Sequence, residues 1–285
     1  MSVSDALKTR LDALLTDAGR QWLEEKRRAD PTGLLTAFVA APRFVGRKPV
    51  PTDAAFDAQL AALVPGWSLD GYTLDRLARV YLLLQLPADD EAAYVRGLET
   101  LFSTADLGEL TALYSALPVF SFPQKWIFRA TEAVRSNMGP VFDAVALGNP
   151  YPAAQFTEAA WNQLVLKAIF NAKPLHRITG FTERANATLA HDLSDLAHER
   201  WAAGRTVPPG AWQLVGPFVD EVIFEDLQKL FASPDEADRR AAVLVCAETG
   251  HEPARRLLAE HPDLHRAVST GELTWKTLET PAVAA

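Results

Sequence analysis

Apolar residues recur at intervals of three and four along almost the whole chain, and runs that alternate β-branched with polar residues are nearly absent. This period is typical of amphipathic α-helices and not of half-buried β-strands. Prolines and glycines end most of the periodic segments, as at Pro87, Pro118 and Pro174. The pattern therefore predicts an all-α fold.

Two local motifs predict where helices begin. Ser233, Pro234 and Glu236 have the order of an N-cap, a first-turn proline and a capping-box acid. Ser103 followed by Asp106 resembles the same motif with a shorter acid.

Three prolines suggest an internal repeat. Pro118 follows Pro87 by 31 residues and Pro150 follows Pro118 by 32, and each interval holds two helical segments. Such periods are typical of helical hairpins stacked side by side, as in a degenerate HEAT/TPR-like α-solenoid. The later prolines do not keep the period, so an irregular helical bundle is the alternative.

No stretch of linker composition divides the chain, so we expect a single all-helical domain over residues 1–285. Within it, 31–51 is rich in proline and is predicted to be the most irregular segment. The tail at 280–285 is expected to fray.

Composition excludes several classes of protein. With 36 acidic and 28 basic residues the net charge is -8, which disfavours nucleic acid as a partner. The single cysteine, Cys246, excludes an internal disulfide and a cysteine-rich zinc site, and its apolar neighbours predict a small core residue.

Location is also inferred from composition. The chain shows no apolar run long enough for a signal segment or a transmembrane helix, so we expect a cytoplasmic protein. The first fifty residues hold nine basic groups against six acidic ones. That excess could dock the N-terminus on an anionic surface, which would make the protein peripheral at the inner membrane.

Histidines cluster on one predicted helix over 183–201. His191, Asp195 and His198 lie at i, i+4 and i+7, with Glu199 at the edge of the stripe. Imidazole and carboxylate ligands suit a divalent transition metal such as zinc, iron or manganese. The alternative is a solvated face whose histidines pair with acids on the same helix, in which case His198→Ala changes stability by only ~0.5 kcal/mol.

Longer motifs carry a resemblance to a known family. These motifs are the stretches 21–26, 149–152, 161–167, 197–205 and 212–218. On them the chain resembles the EboA family of bacterial proteins from near Leu7 to near Leu258, although a basic residue expected after Trp212 is Gln213 here. Candidate ligand or partner residues in and beside them are Tyr151, Trp161, Lys167, Arg200, Trp201, Arg205 and Trp212, although aromatic residues at such spacings also form cores.

The resemblance implies a pathway but no catalytic residues. Members of this family come from a biosynthetic gene cluster for secondary metabolites that also encodes a membrane-embedded prenyltransferase. The resemblance therefore implies a non-catalytic accessory protein, without a cofactor, for biosynthesis or envelope export of a prenylated metabolite. Its partners would be other proteins of the pathway, the prenyltransferase among them, or a hydrophobic small molecule. The alternative is a metal-dependent or acid/base enzyme that uses the histidine stripe.

Overall fold

The computed structural model describes residues 1–279. All elements of regular secondary structure in this range are helices, which confirms the all-α prediction. The predicted frayed tail at 280–285 lies outside the described residues. The α-helices are α1 (Val3–Leu14), α2 (Asp17–Lys26), α3 (Pro31–Val45), α4 (Ala54–Leu63), α5 (Leu74–Leu83), α6 (Glu91–Thr104), α7 (Leu107–Ser115), α8 (Ile127–Arg135), α9 (Gly139–Ala146), α10 (Tyr151–Gln155), α11 (Glu158–Phe170), α12 (Ala187–Ala202), α13 (Glu221–Phe231), α14 (Glu236–Glu248), α15 (Glu252–Ala259), α16 (Pro262–Ser269) and α17 (Trp275–Glu279). Short 3-10 helices cover Leu117–Val119, Pro123–Trp126, Leu175–Arg177, Pro209–Leu214 and Gly216–Phe218.

The chain divides into two compact units. The first comprises Met1–Trp161 with Arg177–Thr179, and the second comprises Asn162–His176 with the described chain from Gly180 onward. The division falls inside α11, so no linker marks it.

A row of helices forms the centre of the first unit. Helices α3, α5, α7 and α9 pack in series, each against the next. Nine of the ten residues of α5 are buried, including the charged Asp75 and Arg79. Pro87, Pro118 and Pro150 follow α5, α7 and α9 in turn, so the 31- and 32-residue intervals mark successive helices of the row. The stacking of helical hairpins as a HEAT/TPR-like solenoid stays a prediction.

A buried arginine joins three helices of this row. Arg79 of α5 is 2% exposed, and its Nε donates a hydrogen bond to the backbone oxygen of Phe38 in α3 at 3.0 Å. Its Nη1 lies 3.4 Å from Oδ2 of Asp75, and its Nη2 lies 3.5 Å from Oε1 of Glu109 in α7. The charge is therefore compensated by two carboxylates that are themselves buried.

The second unit is an irregular bundle around α14. This helix packs against α13, α15, α16, α17 and the 3-10 helix Pro209–Leu214. Its apolar centre includes Val243, Val245 and Cys246, all with no exposed surface. The burial of Cys246 confirms that it is a core residue.

The segment predicted to be most irregular, 31–51, is instead largely helical, because α3 covers fifteen of its residues. Asp30 caps this helix by accepting a hydrogen bond from the Gly33 amide at 2.7 Å, and Pro31 occupies the first turn, where no amide donor is needed. Pro42 lies inside the helix, and α3 continues past it to Val45.

Both predicted helix starts are displaced along the chain. The N-cap of α7 is Asp106 rather than Ser103, and it forms a capping box with Glu109. The N-cap of α14 is Asp235, whereas Ser233 donates a hydrogen bond to Asp238 at 2.8 Å. The N-cap of α7 therefore lies three residues, and that of α14 two residues, after the serine of the predicted motif.

Candidate functional site

The histidine stripe of α12 faces helix α13. His198 Nε2 lies 2.5 Å from Oδ1 of Asp226, and Ser194 Oγ donates a hydrogen bond to Oδ2 of the same carboxylate. Asp226 is 2% exposed, whereas the His198 side chain is 50% exposed. The predicted histidine–acid pairing therefore exists, but the acid comes from α13 and not from Asp195 or another residue of α12.

His191 forms a separate contact with a different acid. Its Nε2 lies 3.2 Å from Oδ2 of Asp220, the N-cap residue of α13, while Asp195 and Glu199 are exposed. Residues 1–279 contain no group of three His, Cys, Asp or Glu side chains placed to hold a metal ion. The four metal-ligand candidates His191, Asp195, His198 and Glu199 are therefore not brought to one point, because each histidine turns to its own acid at α13.

Ser194, His198 and Asp226 are residue types of a hydrolase triad, but they are connected in a different order. In a triad the imidazole lies between the hydroxyl and the carboxylate and removes the hydroxyl proton. Here the carboxylate lies between the other two groups. The Ser194 hydroxyl donates to Asp226, so its proton is not directed to a base that would activate the oxygen. This arrangement fixes α12 against α13.

Three of the candidate ligand or partner residues are buried. Trp161 and Trp212 have no exposed surface, and Tyr151 donates its hydroxyl to the backbone oxygen of Pro123. Burial raises the pKa of Tyr151, which keeps the phenol protonated. In this structure the three side chains contribute to the core and do not present a surface to a ligand.

The other four candidates are more accessible. Trp201 stacks on Trp212 with ring centroids 6.1 Å apart, and Lys229 Nζ lies 4.0 Å from the centre of the Trp201 ring. Arg200 Nε donates to the backbone oxygen of Thr206 at 2.6 Å. Lys167 is half-buried and Arg205 is exposed. Packing and local hydrogen bonds already occupy Trp201 and Arg200.

An apolar recess lies between α2 and α3 in the first unit. We call it the α2–α3 groove; its lining residues are Trp22, Lys26, Ala29, Thr32, Gly33, Thr36, Ala37, Ala40 and Phe44. Trp22 and Phe44 stack face to face at one wall, with centroids 4.7 Å apart and planes inclined by 7°. Phe44 is 49% exposed, which leaves an aromatic face at the groove.

Small side chains make room for this groove. Gly33, Ala37 and Ala40 follow one face of α3 at i, i+4 and i+7. A Cβ atom at Gly33 would lie 2.8 Å from Cβ of Ala29, so glycine permits the close approach of these two segments. The cavity volume is about 270 Å³. The groove was not predicted from the sequence, although the small-residue stripe of α3 is a visible signal.

The groove has one charged side chain at its edge. Lys26 Nζ lies 2.7 Å from Oε1 of Glu25. The remaining lining offers methyl groups, two threonines and two aromatic rings, so apolar contact dominates any binding there.

Two basic residues of the N-terminal fifty pair with an acid of α2. Arg27 donates two hydrogen bonds to Glu24, each 2.6 Å long, and Arg28 contacts the same carboxylate. Arg43 and Lys48 are exposed. No described helix combines the length and the apolar character that crossing a membrane requires.

Comparison with known proteins identifies a family but no individual protein or structure. No curated protein and no solved structure matches the chain. The model of the family described as metabolite traffic protein EboA matches residues 3–216, which includes α1 to α12 and the 3-10 helix Pro209–Leu214. Since this match covers most of the sequence, the chain belongs to the EboA family.

Proposed function

We propose that this protein is a non-catalytic carrier that binds the apolar portion of a hydrophobic metabolite in the α2–α3 groove. The groove itself is the observation that supports the proposal, because it combines an aromatic wall, a floor of small residues and an open mouth. The family description, metabolite traffic, agrees with a role in handling a small molecule.

Its size and lining define the ligand class. A volume of about 270 Å³ lies just below the range of roughly 300 to 1,000 Å³ that encloses drug-sized ligands. A branched hydrocarbon chain or one ring system would fill it, while the rest of the molecule stays outside. A prenyl group has the required shape and apolar surface, which suits a prenylated intermediate of a biosynthetic or export pathway.

A carrier of this kind needs a recipient. We infer that the recipient is another protein of the same pathway, and that a membrane-embedded prenyltransferase is one such partner. An exposed ligand mouth favours transfer, because the bound molecule can leave without the protein unfolding. Transfer at the inner membrane would make this a cytoplasmic protein with peripheral membrane contact.

Titration with farnesol, a prenyl alcohol, tests the groove by calorimetry. Ala40→Trp places an indole in the groove from its open side, and we expect binding to weaken about tenfold or more because the apolar contact area is filled. Val39→Trp is the matched control, because Val39 is the preceding residue of α3, is 51% exposed and does not line the groove. Equal binding by the two variants, or no saturable binding by the native protein, would reject the groove as the site.

The recipient is tested separately. Purified protein, loaded with farnesol or empty, is mixed with membranes that contain the pathway prenyltransferase and is then sedimented. We expect co-sedimentation to require the prenyltransferase. Sedimentation that is the same with and without that enzyme would contradict the proposed partner, and it would leave the result of the farnesol titration unaffected.

A further inference from the structure

A second cleft in the first unit has a different chemistry. Its walls come from α5, α7 and α9 and from the short segment Arg177–Thr179, and its volume is about 270 Å³. Arg76 of α5 and Arg177 both line it, with Thr111 of α7 and Asp143 of α9 nearby. Two guanidinium groups in one cleft are costly unless anions compensate them.

Arg76 is positioned by two neighbours, Tyr72 and Ser115. Its carbon Cζ lies 3.9 Å from the centre of the Tyr72 ring, and its Nε donates a hydrogen bond to Ser115 Oγ at 2.6 Å. Ser115 is in turn fixed because its hydroxyl donates to the backbone oxygen of Thr111. The two terminal nitrogens of Arg76 carry four more N–H donors.

No carboxylate among the described residues lies within 4.0 Å of those nitrogens. Burial lowers the pKa of Arg76, and the charge of Arg177 adds to this effect. A side-chain hydrogen bond to Tyr72 acts in the opposite direction, as does the negative charge of Asp143. Arg76 differs in this from Arg79, the other largely buried arginine of α5, which has two carboxylate partners.

Arg177 is fixed from the other side of the cleft. Its Nη1 lies 3.0 Å from Oδ2 of Asp70, and its Nη2 donates to the backbone oxygen of Asp70 at 3.1 Å. Its own backbone oxygen accepts a hydrogen bond from the Gly148 amide at 2.7 Å. Thr179 Oγ1 donates to the backbone oxygen of Gly66 at 2.8 Å, so the whole segment is tied to the first unit.

We propose that Arg76 and Arg177 bind a small oxyanion, the carboxylate or phosphate group of a metabolite. Guanidinium groups suit this ligand because their N–H donors lie in one plane and match two oxygens at a time. Asp70 and Asp143 make the cleft nearly neutral before binding, which favours a compact anion over a polyanion such as nucleic acid.

This inference does not rest on the α2–α3 groove, because the two cavities have no lining residue in common. Either one can fail while the other holds. The farnesol titration reports on the groove alone.

The test is a titration with inorganic phosphate and, in a parallel sample, with acetate, followed by NMR of the arginine Nε–H signals. We expect saturable shifts of the Arg76 and Arg177 signals in the millimolar range with at least one of the two anions. The anion that binds more tightly identifies the source, a phosphate or a carboxylate group. Shifts that stay linear with both anions, or that spread evenly over all arginines, would overturn the proposal.

Substitutions sharpen this result. Arg76→Gln and Arg177→Gln should each weaken binding by about tenfold, since each removes charged donors. Arg28→Gln is the matched control, because this exposed arginine contacts Glu24 on α2, away from the cleft. The Arg177 side chain is 28% exposed, so Arg177→Gln keeps the test decisive if Arg76→Gln does not fold. Unchanged affinity in a folded Arg177→Gln protein would also reject the site.

Discussion

His198 holds a carboxylate that is almost completely buried: its Nε2 lies 2.5 Å from Oδ1 of Asp226, which is 2% exposed. The His198 side chain is itself half exposed, so its exposure alone does not indicate a structural role. A surface residue can therefore matter for stability when its partner lies in the core.

We expect His198→Ala to destabilise the protein by about 1–3 kcal/mol, because it removes a partner from a buried acceptor. This exceeds the ~0.5 kcal/mol expected of an ordinary exposed position. The measurement is the free energy of unfolding from urea titration. His191→Ala is the matched control, since its partner Asp220 is well exposed and we expect a loss of only ~0.5 kcal/mol. Equal losses for the two variants would argue against a special role of Asp226.

The Arg79 cluster should be among the most sensitive positions in the first unit. Arg79→Leu leaves Asp75 and Glu109 buried without their cation, and the expected loss is about 3–5 kcal/mol of unfolding free energy. Adding Asp75→Asn and Glu109→Gln to the same chain should recover part of that loss, because the uncompensated charges are removed.

Urea unfolding of the single and triple variants measures this difference. Arg28→Leu provides a comparison, because Arg28 is exposed and pairs with Glu24 of α2. We expect its effect to stay near ~0.5 kcal/mol. A triple variant less stable than Arg79→Leu alone would show that the carboxylates stabilise the fold by another route.

The helical class followed from the sequence, because the hydrophobic period is a local property. Helix starts were displaced by two or three residues, since Asp106 and Asp235 competed with nearby serines for the cap. The prediction of an irregular segment at 31–51 was wrong because its prolines were taken as helix breakers. Pro31 occupies the first turn of α3, and Pro42 lies inside that helix.

The site was harder to predict, because a helical pattern shows which side chains share a face but not what packs against it. The stripe of His191 and His198 was found on the correct helix, while its partners Asp220 and Asp226 come from α13. Arg79 was overlooked although it interrupts the apolar run of α5, and only the fold reveals its carboxylates.

The change in unfolding free energy at acidic pH should depend on Glu24. Hydrogen bonds from Arg27 lower the pKa of Glu24 from 4.5 to about 2. Because the native state prefers the charged carboxylate, this stabilisation is present above pH 4.5 and is lost as the pH falls towards 2.

We therefore expect Glu24→Gln to flatten the fall in unfolding free energy between those two pH values, as measured by urea titration at each pH. Glu25→Gln is the neighbouring control, because the Glu25 carboxylate forms its ion pair with Lys26 and not with Arg27. A native protein and a Glu24→Gln variant with parallel acid profiles would contradict this assignment.

Cys246 reports on opening of the second unit. It has no exposed surface, and burial raises the pKa of its thiol to about 12, so almost no thiolate is present at neutral pH. We expect the native protein to resist a disulfide reagent such as Ellman's reagent at mildly alkaline pH and to react fully in denaturant. The reaction rate without denaturant then measures how often α14 becomes accessible. Ala202→Cys, at an exposed position of α12, is the control, and it should react at once. If Cys246 in the native protein reacts as fast as that exposed thiol, its place in the α14 core is wrong.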